Sequence, residues 1–458
     1  MTAYDAVQAG GVRNGGVSHW HTALGLPVPG PALTGDVTCD VAIVGGGLTG
    51  LWTAYWLKRA EPGLDVRVLE AEFAGYGASG RNGGWLSSEL PGNAAHYGAG
   101  AAGVAAMAAA VRGTVDEVLS ACEREGIDAD QRRSGVLYAA RSAAQHRRLL
   151  SAGASLPSVL LDADQARARI DIAGRRGARF DPDAARVHPA KLVRGLADVV
   201  RARGVEIHES TRVTSIAPGL ATTARAQVRA GVVLRCLEGF TAGLDGHRRD
   251  WLPMNSAIIV TAPLTDAQWS SIGWEGEELL GDEAHAYCYA QRTADGRIAL
   301  GGRGIPYRFG SRTDVHGRTQ EWTVESLRST LHALFPSLRG IAIDHAWCGV
   351  LGVPRDWCAS VVFSPETGLG HAGGYIGSGL TATHLAGRTL ADLVLGQQTD
   401  RTGLPWVGHA VRRWEPEPLR WLGVKAMYGL YRAADRREDA GASGTSRWAT
   451  LADRVSGR

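Results

Sequence analysis

A chain of 458 residues has room for two or three domains, or two interleaved ones, around a core large enough for an enzyme. A net charge of only +3, with acids and bases mixed along the chain, argues against nucleic acid as a partner. Six scattered cysteines without C-x-x-C or metal-ligand spacing argue against a disulfide framework or a zinc site. They fit a cytoplasmic location, and the lack of an export pattern or of about 18 uninterrupted apolar residues predicts no membrane span.

In chain order, Cys39 to Val44 reads as a buried strand, Gly45 to Gly50 as a G-x-G-x-x-G turn and Leu48 to Arg59 as a helix. Pro62 and Gly63 then break the chain before a second strand ending at Glu70. A βαβ unit of this kind binds a dinucleotide. Gly45 allows the tight turn, Gly47 lets a pyrophosphate approach the backbone, and Gly50 lets helix and strand pack closely. The helix start at Leu48 and Thr49 offers unpaired N–H groups and a partial positive charge to phosphate. Glu70 follows Gly50 by twenty residues, where a carboxylate accepts from ribose hydroxyls and disfavours a 2′-phosphate. Two further letter-for-letter matches, Gly98 to Gly103 and Gly368 to Gly373, lack this strand, helix and acid context and are discarded.

The stretch "YGASGRNGGW", residues 76 to 85, sets four glycines around Ser79, Arg81 and Asn82, too little bulk for a packed core. Alanine-rich stretches near 100–124 and 138–152 read as helices. "ARGVEIHESTRVTSI" reads as a helix end and a strand. "EAHAYCYAQRTADGRIALGGRG" alternates as a hairpin turning at Asp295-Gly296, with His285, Tyr287 and Tyr289 on one face. That face is either a substrate wall or a packing surface, and Arg292 and Arg303 are candidates to orient an anionic group. "AGGYIGSGLTATHLAGRTLADLVLG" passes from glycines into a helix over about 380–395. The tail carries Trp421, Met427, Tyr428 and Tyr431 on an amphipathic helix that packs on the body or lies on a membrane surface.

Together "DVAIVGGGLTG", "LEAEFAGYGASGRNGGW" and "GGYIGSGLTATHLAGRTLADLVLG" resemble the D-amino-acid-oxidase-type FAD oxidoreductases, most closely the gamma-glutamylputrescine-oxidase-like flavoproteins. The resemblance implies an α/β (α+β overall) fold, with a Rossmann-type FAD-binding domain interleaved with a mixed-sheet substrate domain. It suggests an N-terminal extension (1–35), FAD segments at 36–90, 185–245 and 340–400, substrate segments at 91–184 and 246–339, and a helical tail at 401–458. It also implies FAD contacts from Ala71, Ala78, Ser79, Gly80, Arg81, Asn82, Gly83 and Gly84, from Val213 near the adenine, and from Cys236 and Gly239 beneath the pyrophosphate. At the flavin edge the candidates are Gly374, Gly377, Gly379, Leu380 and Thr381, where a helix start stabilises charge on the reduced ring. Ser378 stands where relatives commonly have histidine. It joins His285, Tyr287 and Tyr289 as a candidate catalytic residue.

The chemistry implied is removal of hydrogen from a carbon bearing nitrogen, with O2 or another carrier as electron acceptor. A neutral amine is required, and lowering a pKa near 10 to about 7 corresponds to roughly 4 kcal/mol, which desolvation can supply. Leu351 aligns with the arginine that grips the substrate carboxylate in amino-acid-oxidising relatives, which favours an amine; Arg355 is the candidate substitute. Cys348 is weighed as a covalent flavin link against a small buried residue, with non-covalent FAD favoured. An amino-acid oxidase or dehydrogenase, a tailoring flavoenzyme and a non-catalytic FAD subunit are the alternatives.

Overall fold

The computed structural model describes residues 4–9, 11–153, 157–302 and 307–456. Strand Val37–Val44 turns completely apolar and buried in its last four residues, as a strand covered on both faces requires. It pairs in parallel with Val66–Leu69 on one side and Gln227–Arg235 on the other. Glu206–His208 extends the parallel set beyond Val66–Leu69, and Leu369–Gly373 pairs in parallel with Gln227–Arg235. Parallel strands end at one edge of a sheet, so Gly45, Glu70, Cys236 and Gly374 follow strand ends there although they are remote in sequence. The helices Leu48–Ala60 and Gly379–Val394 start from this edge. The discarded match at Gly368 is a turn and a strand of the same sheet.

The second sheet has ten strands, and its spine is the antiparallel pair Leu252–Thr261 and Ile343–Val353. Three expectations are corrected here. Residues 343–353, expected in the FAD segment, pair in this sheet instead. Residues 138–140, expected to begin a helix, instead end the wholly buried strand Val136–Ala140 between Leu279–Asp282 and Gly177–Asp181, because tertiary burial overrides alanine's helix preference; the helix starts at Ala143, capped by Ser142. The hairpin strands are Cys288–Arg292 and Ile298–Gly302, so His285 and Tyr287 precede the ladder in a loop. The N-terminal residues also add two short strands to this sheet, Val7–Ala9 and Val12–Asn14, the latter beside Ile343–Val353.

The tail folds back as helices Leu419–Asp439 and Arg447–Ser456. Tyr428 packs with Leu252, Met254, Trp357 and Ile376, and Tyr431 and Ala434 pack on Ala449 and Ala452. The helix therefore sits on the body of the protein. Among the described residues no helix is long and apolar enough to cross a membrane.

Candidate active site

A continuous cavity of about 810 Å³ lies between the two sheets, at the upper end of the usual range for cofactor sites. Its first wall is the turn after Val37–Val44. Gly45 has φ +115°, and a Cβ there would stand 2.5 Å from the Cys236 carbonyl oxygen. A Cβ on Gly50 would stand 2.1 Å from the Gly45 carbonyl oxygen, so helix and turn meet only through glycine. Gly47 caps the helix without a side-chain bond, and no acid lies in the first turn. The Leu48 N–H donates to Ser79 Oγ at 2.8 Å; Gly47, Leu48 and Thr49 line the cavity.

Glu70 faces the same space, beside Ala71 and Val213. One of its oxygens accepts from Gly46 N–H at 2.8 Å and the other from Glu72 N–H at 3.0 Å. Burial, with Glu72 and Glu209 nearby, pushes the carboxyl up to about 7.

Residues 76–84 form a tight loop held by Asn82, whose side chain accepts from Gly84 N–H and donates to the Ala78 and Ser79 carbonyls. Ser18 and Trp20 brace it from behind by donating to the Gly80 and Asn82 carbonyls. Nothing in the N-terminal sequence signals this support. Arg81 is not a free cation. It is buried, pairs with Asp314 at 2.8 Å and donates to the Tyr76 and Cys348 carbonyls. Nη2 alone lacks a hydrogen-bond partner among the described residues. Ala78, Ser79, Arg81, Asn82 and Gly83 reach the cavity wall.

Among the remaining expected cofactor residues, Cys236, Gly377, Gly379 and Leu380 also line the cavity. Gly50, Gly80, Gly84, Gly239, Gly374 and Thr381 lie outside its lining and support it instead. Gly239 packs on Val350 and Leu351, Gly374 N–H donates to Glu238 at 2.7 Å, and Thr381 donates to the Ser87 carbonyl. Glu238, absent from the sequence candidates, lines the cavity and accepts from both Gly352 and Gly374, while burial pushes it up to about 7.

The far wall is aromatic. Tyr289 crosses the gap beside Gly83 and Gly301, bonds Ser256 at 3.2 Å, and meets Trp85 edge-on at 6.0 Å. The Tyr287 hydroxyl lies 3.7 Å from where a Cβ on Gly377 would stand, beside Ser378. Ser378 is the N-terminal cap of Gly379–Val394 with no side-chain capping bond, again with no acid in the first turn. His285 lines the cavity too, but its Nε2 is engaged by Glu438 at 2.9 Å and its ring stacks on Tyr431. It is anchored to the tail, which is poor placement for a free base. Trp85, Tyr138, Glu89, Arg148, Arg179 and Glu283 complete this end. Apart from Trp85, which ends the glycine-rich stretch, no motif marks them, since the fold alone gathers them.

Leu351 is on the wall. Arg355 is elsewhere, paired with Glu415 and stacked over Trp414. Arg292 lies over Trp269 and donates to the Trp274 carbonyl, away from the cavity; Arg303 lies outside the described residues. Cys348 is fully buried, its thiol directed at the Arg318 carbonyl and raised by burial, and it does not line the cavity.

The family model described as FAD dependent oxidoreductase (DAO) matches residues 40–393. The chain belongs to the DAO family. Gamma-glutamylputrescine oxidoreductase of Escherichia coli (strain K12) is 30% identical over 399 residues, 83% of this chain and 89% of that protein. Glycine oxidase of Bacillus licheniformis is 24% identical, over 78% of this chain and 93% of that protein. The crystal structure of glycine oxidase from Geobacillus kaustophilus superposes with a TM-score of 0.67 at 21% identity, covering 79% of this chain and 96% of that one, which shows the fold.

This DAO-family chain is thus an FAD-dependent oxidoreductase that acts on carbon–nitrogen bonds. Its cavity suits FAD on its own evidence. Two helix starts with no acid in their first turns open on it, a glycine turn leaves no room for side chains, and Glu70 offers a carboxylate beside the first helix.

Proposed function

We propose that the protein oxidises a primary or secondary amine of the gamma-glutamylputrescine type to an imine, which water hydrolyses to an aldehyde, with O2 as electron acceptor. In this reading Gly45, Gly47, Leu48 and Thr49 receive the pyrophosphate, Glu70 the ribose hydroxyls, and Val213 the adenine. The 76–84 loop and the Gly379–Val394 helix start would flank the flavin ring. When bound, FAD would supply the two-electron acceptor for the hydride on the carbon next to nitrogen.

The protein's own part is binding and orientation. Trp85, Tyr138, Tyr287 and Tyr289 exclude water, which favours the neutral amine and lets its nitrogen lone pair assist hydride loss. The start of Gly379–Val394 would offer partial positive charge to the reduced ring. The observation that carries the amine reading is Leu351: an apolar side chain lines the cavity where a carboxylate-gripping arginine would be needed. The similarity to gamma-glutamylputrescine oxidoreductase supports it.

A second reading, oxidation of an amino acid by oxidase or dehydrogenase chemistry, is favoured by Arg179 on the wall and by the likeness to glycine oxidase. Anaerobic mixing of the yellow protein with polyamines, gamma-glutamyl-polyamines, N-methyl amines and D-amino acids separates the two. Bleaching by the amines, followed by hydrogen peroxide release in air, supports the proposal, and bleaching by amino acids alone overturns it.

A further inference from the structure

The family match ends at residue 393, yet the cavity is completed by residues far beyond it: Thr445 and Asp453 share its lining with Tyr287 and Ser378. Both belong to the C-terminal helix pair and its connection. The pair is latched to the cavity loop around residue 285. Asp435 accepts from the His285 and Ala286 N–H groups, each at 2.9 Å. Glu438, almost fully buried, receives both guanidinium arms of Arg148 at 2.9 Å as well as His285 Nε2. Arg148 in turn donates to the Glu283 carbonyl and to Thr445. Asp453 accepts from Tyr431 at 2.7 Å, and Ala449 and Ala452 seat the last helix on Tyr431 and Ala434.

Charge at this end is uneven. The described lining includes the carboxyls of Glu89, Asp282, Glu283 and Asp453 against the guanidiniums of Arg148 and Arg179. Arg148 is already matched by Glu438, and Arg179 lies over the Tyr138 ring at 4.4 Å. Burial raises the carboxyls of Asp282 and Glu283, so a cation brought beside them would relieve a cost.

We propose that the C-terminal helix pair is a strap that closes the substrate end of the cavity and, through Asp453, selects amines carrying a second cationic nitrogen. The selection rests on the amine reading above; the closure does not. A family fold that takes many C–N substrates gains selectivity here from an appended element that supplies a wall and a charge.

Two full-length variants test it in the FAD-loaded protein. Ala449→Glu forces a charge into the contact between the two helices. Sulfite, which adds reversibly to the flavin ring, then reports access without needing turnover. An opened strap should raise its rate of bleaching by about fivefold or more, and an unchanged rate in protein that keeps its flavin overturns the strap. Asp453→Asn should lower the ratio of kcat/KM for putrescine to that for 1-aminobutane about tenfold. An unchanged ratio overturns the role of Asp453. If neither amine reduces the wild-type flavin, the selection through Asp453 falls, while the sulfite arm still decides the strap.

Discussion

Glu70 ties cofactor affinity to pH in a way the structure lets one calculate. In the cofactor-free protein its carboxyl is pushed up to about 7 by burial, with Glu72 and Glu209 adding to the shift and the Gly46 and Glu72 N–H groups opposing it. Ribose hydroxyls donate to a carboxylate, so on the proposed arrangement binding of FAD favours the ionised form and releases a proton below pH 7. The penalty is the factor 1 + 10^(7 − pH): about elevenfold at pH 6 and about 1.1-fold at pH 8, so Kd for FAD should rise about tenfold between pH 8 and pH 6. The sign for the apo fold is the reverse. An acid raised above its ordinary 4.5 destabilises the cofactor-free protein progressively as pH rises from 4.5 through 7, and FAD relieves that strain. Fluorescence titration of the apo protein with FAD at pH 6, 7 and 8 measures the effect. Glu70→Gln should flatten the profile and weaken binding at pH 8 by about 1.5–3 kcal/mol, the range for a hydrogen bond to a charged group. Glu238 is also pushed up to about 7 on the same cavity, so any slope left in Glu70→Gln belongs to it. A flat wild-type profile, or an unchanged slope in the variant, refutes the placement of Glu70 at the ribose.

Gly50→Ala should yield a colourless protein, because a Cβ 2.1 Å from the Gly45 carbonyl oxygen must push the helix off the turn at a cost on the order of 3 kcal/mol; the flavin absorbance of the purified variant decides it. Leu351→Arg should lower kcat/KM for putrescine at least about tenfold and allow glycine or sarcosine to bleach the flavin, since it restores a partner for a carboxylate. Burial pushes His21, His345, His371 and His384 down to about 3, so they stay neutral in the fold while the unfolded chain protonates them near 6.5. Their stability contribution is whole above pH 6.5 and is lost as pH falls toward 3, outweighing the opposite trend from Glu70 and Glu238; melting temperatures across pH 8 to 4 should fall steeply below 6.5.

The sequence by itself determined the strand–turn–helix–strand unit at the start of the first sheet. The Gly45 turn, its flanking strands and Glu70 are local in the chain, and the physics that shapes this unit acts over about 30 residues. The helix at Gly379 was legible for the same reason, since glycines followed by a helical pattern need no distant partner. The pairing of Arg81 was not legible because its partner, Asp314, lies 233 residues away, and pairing in a buried site decides what a charge can do. His285 was misread: its alternation with Tyr287 and Tyr289 suggested a strand face, but Glu438 and Asp435 from the tail hold it in a loop. The strand Val136–Ala140 shows the same limit, since its alanines favour helix until neighbours on both sides make it a ladder. Only the tertiary structure gathers the substrate end of the cavity from Trp85, Tyr138, Arg148, Glu283 and Asp453, because side chains from many segments meet there without sharing any periodicity a sequence could display.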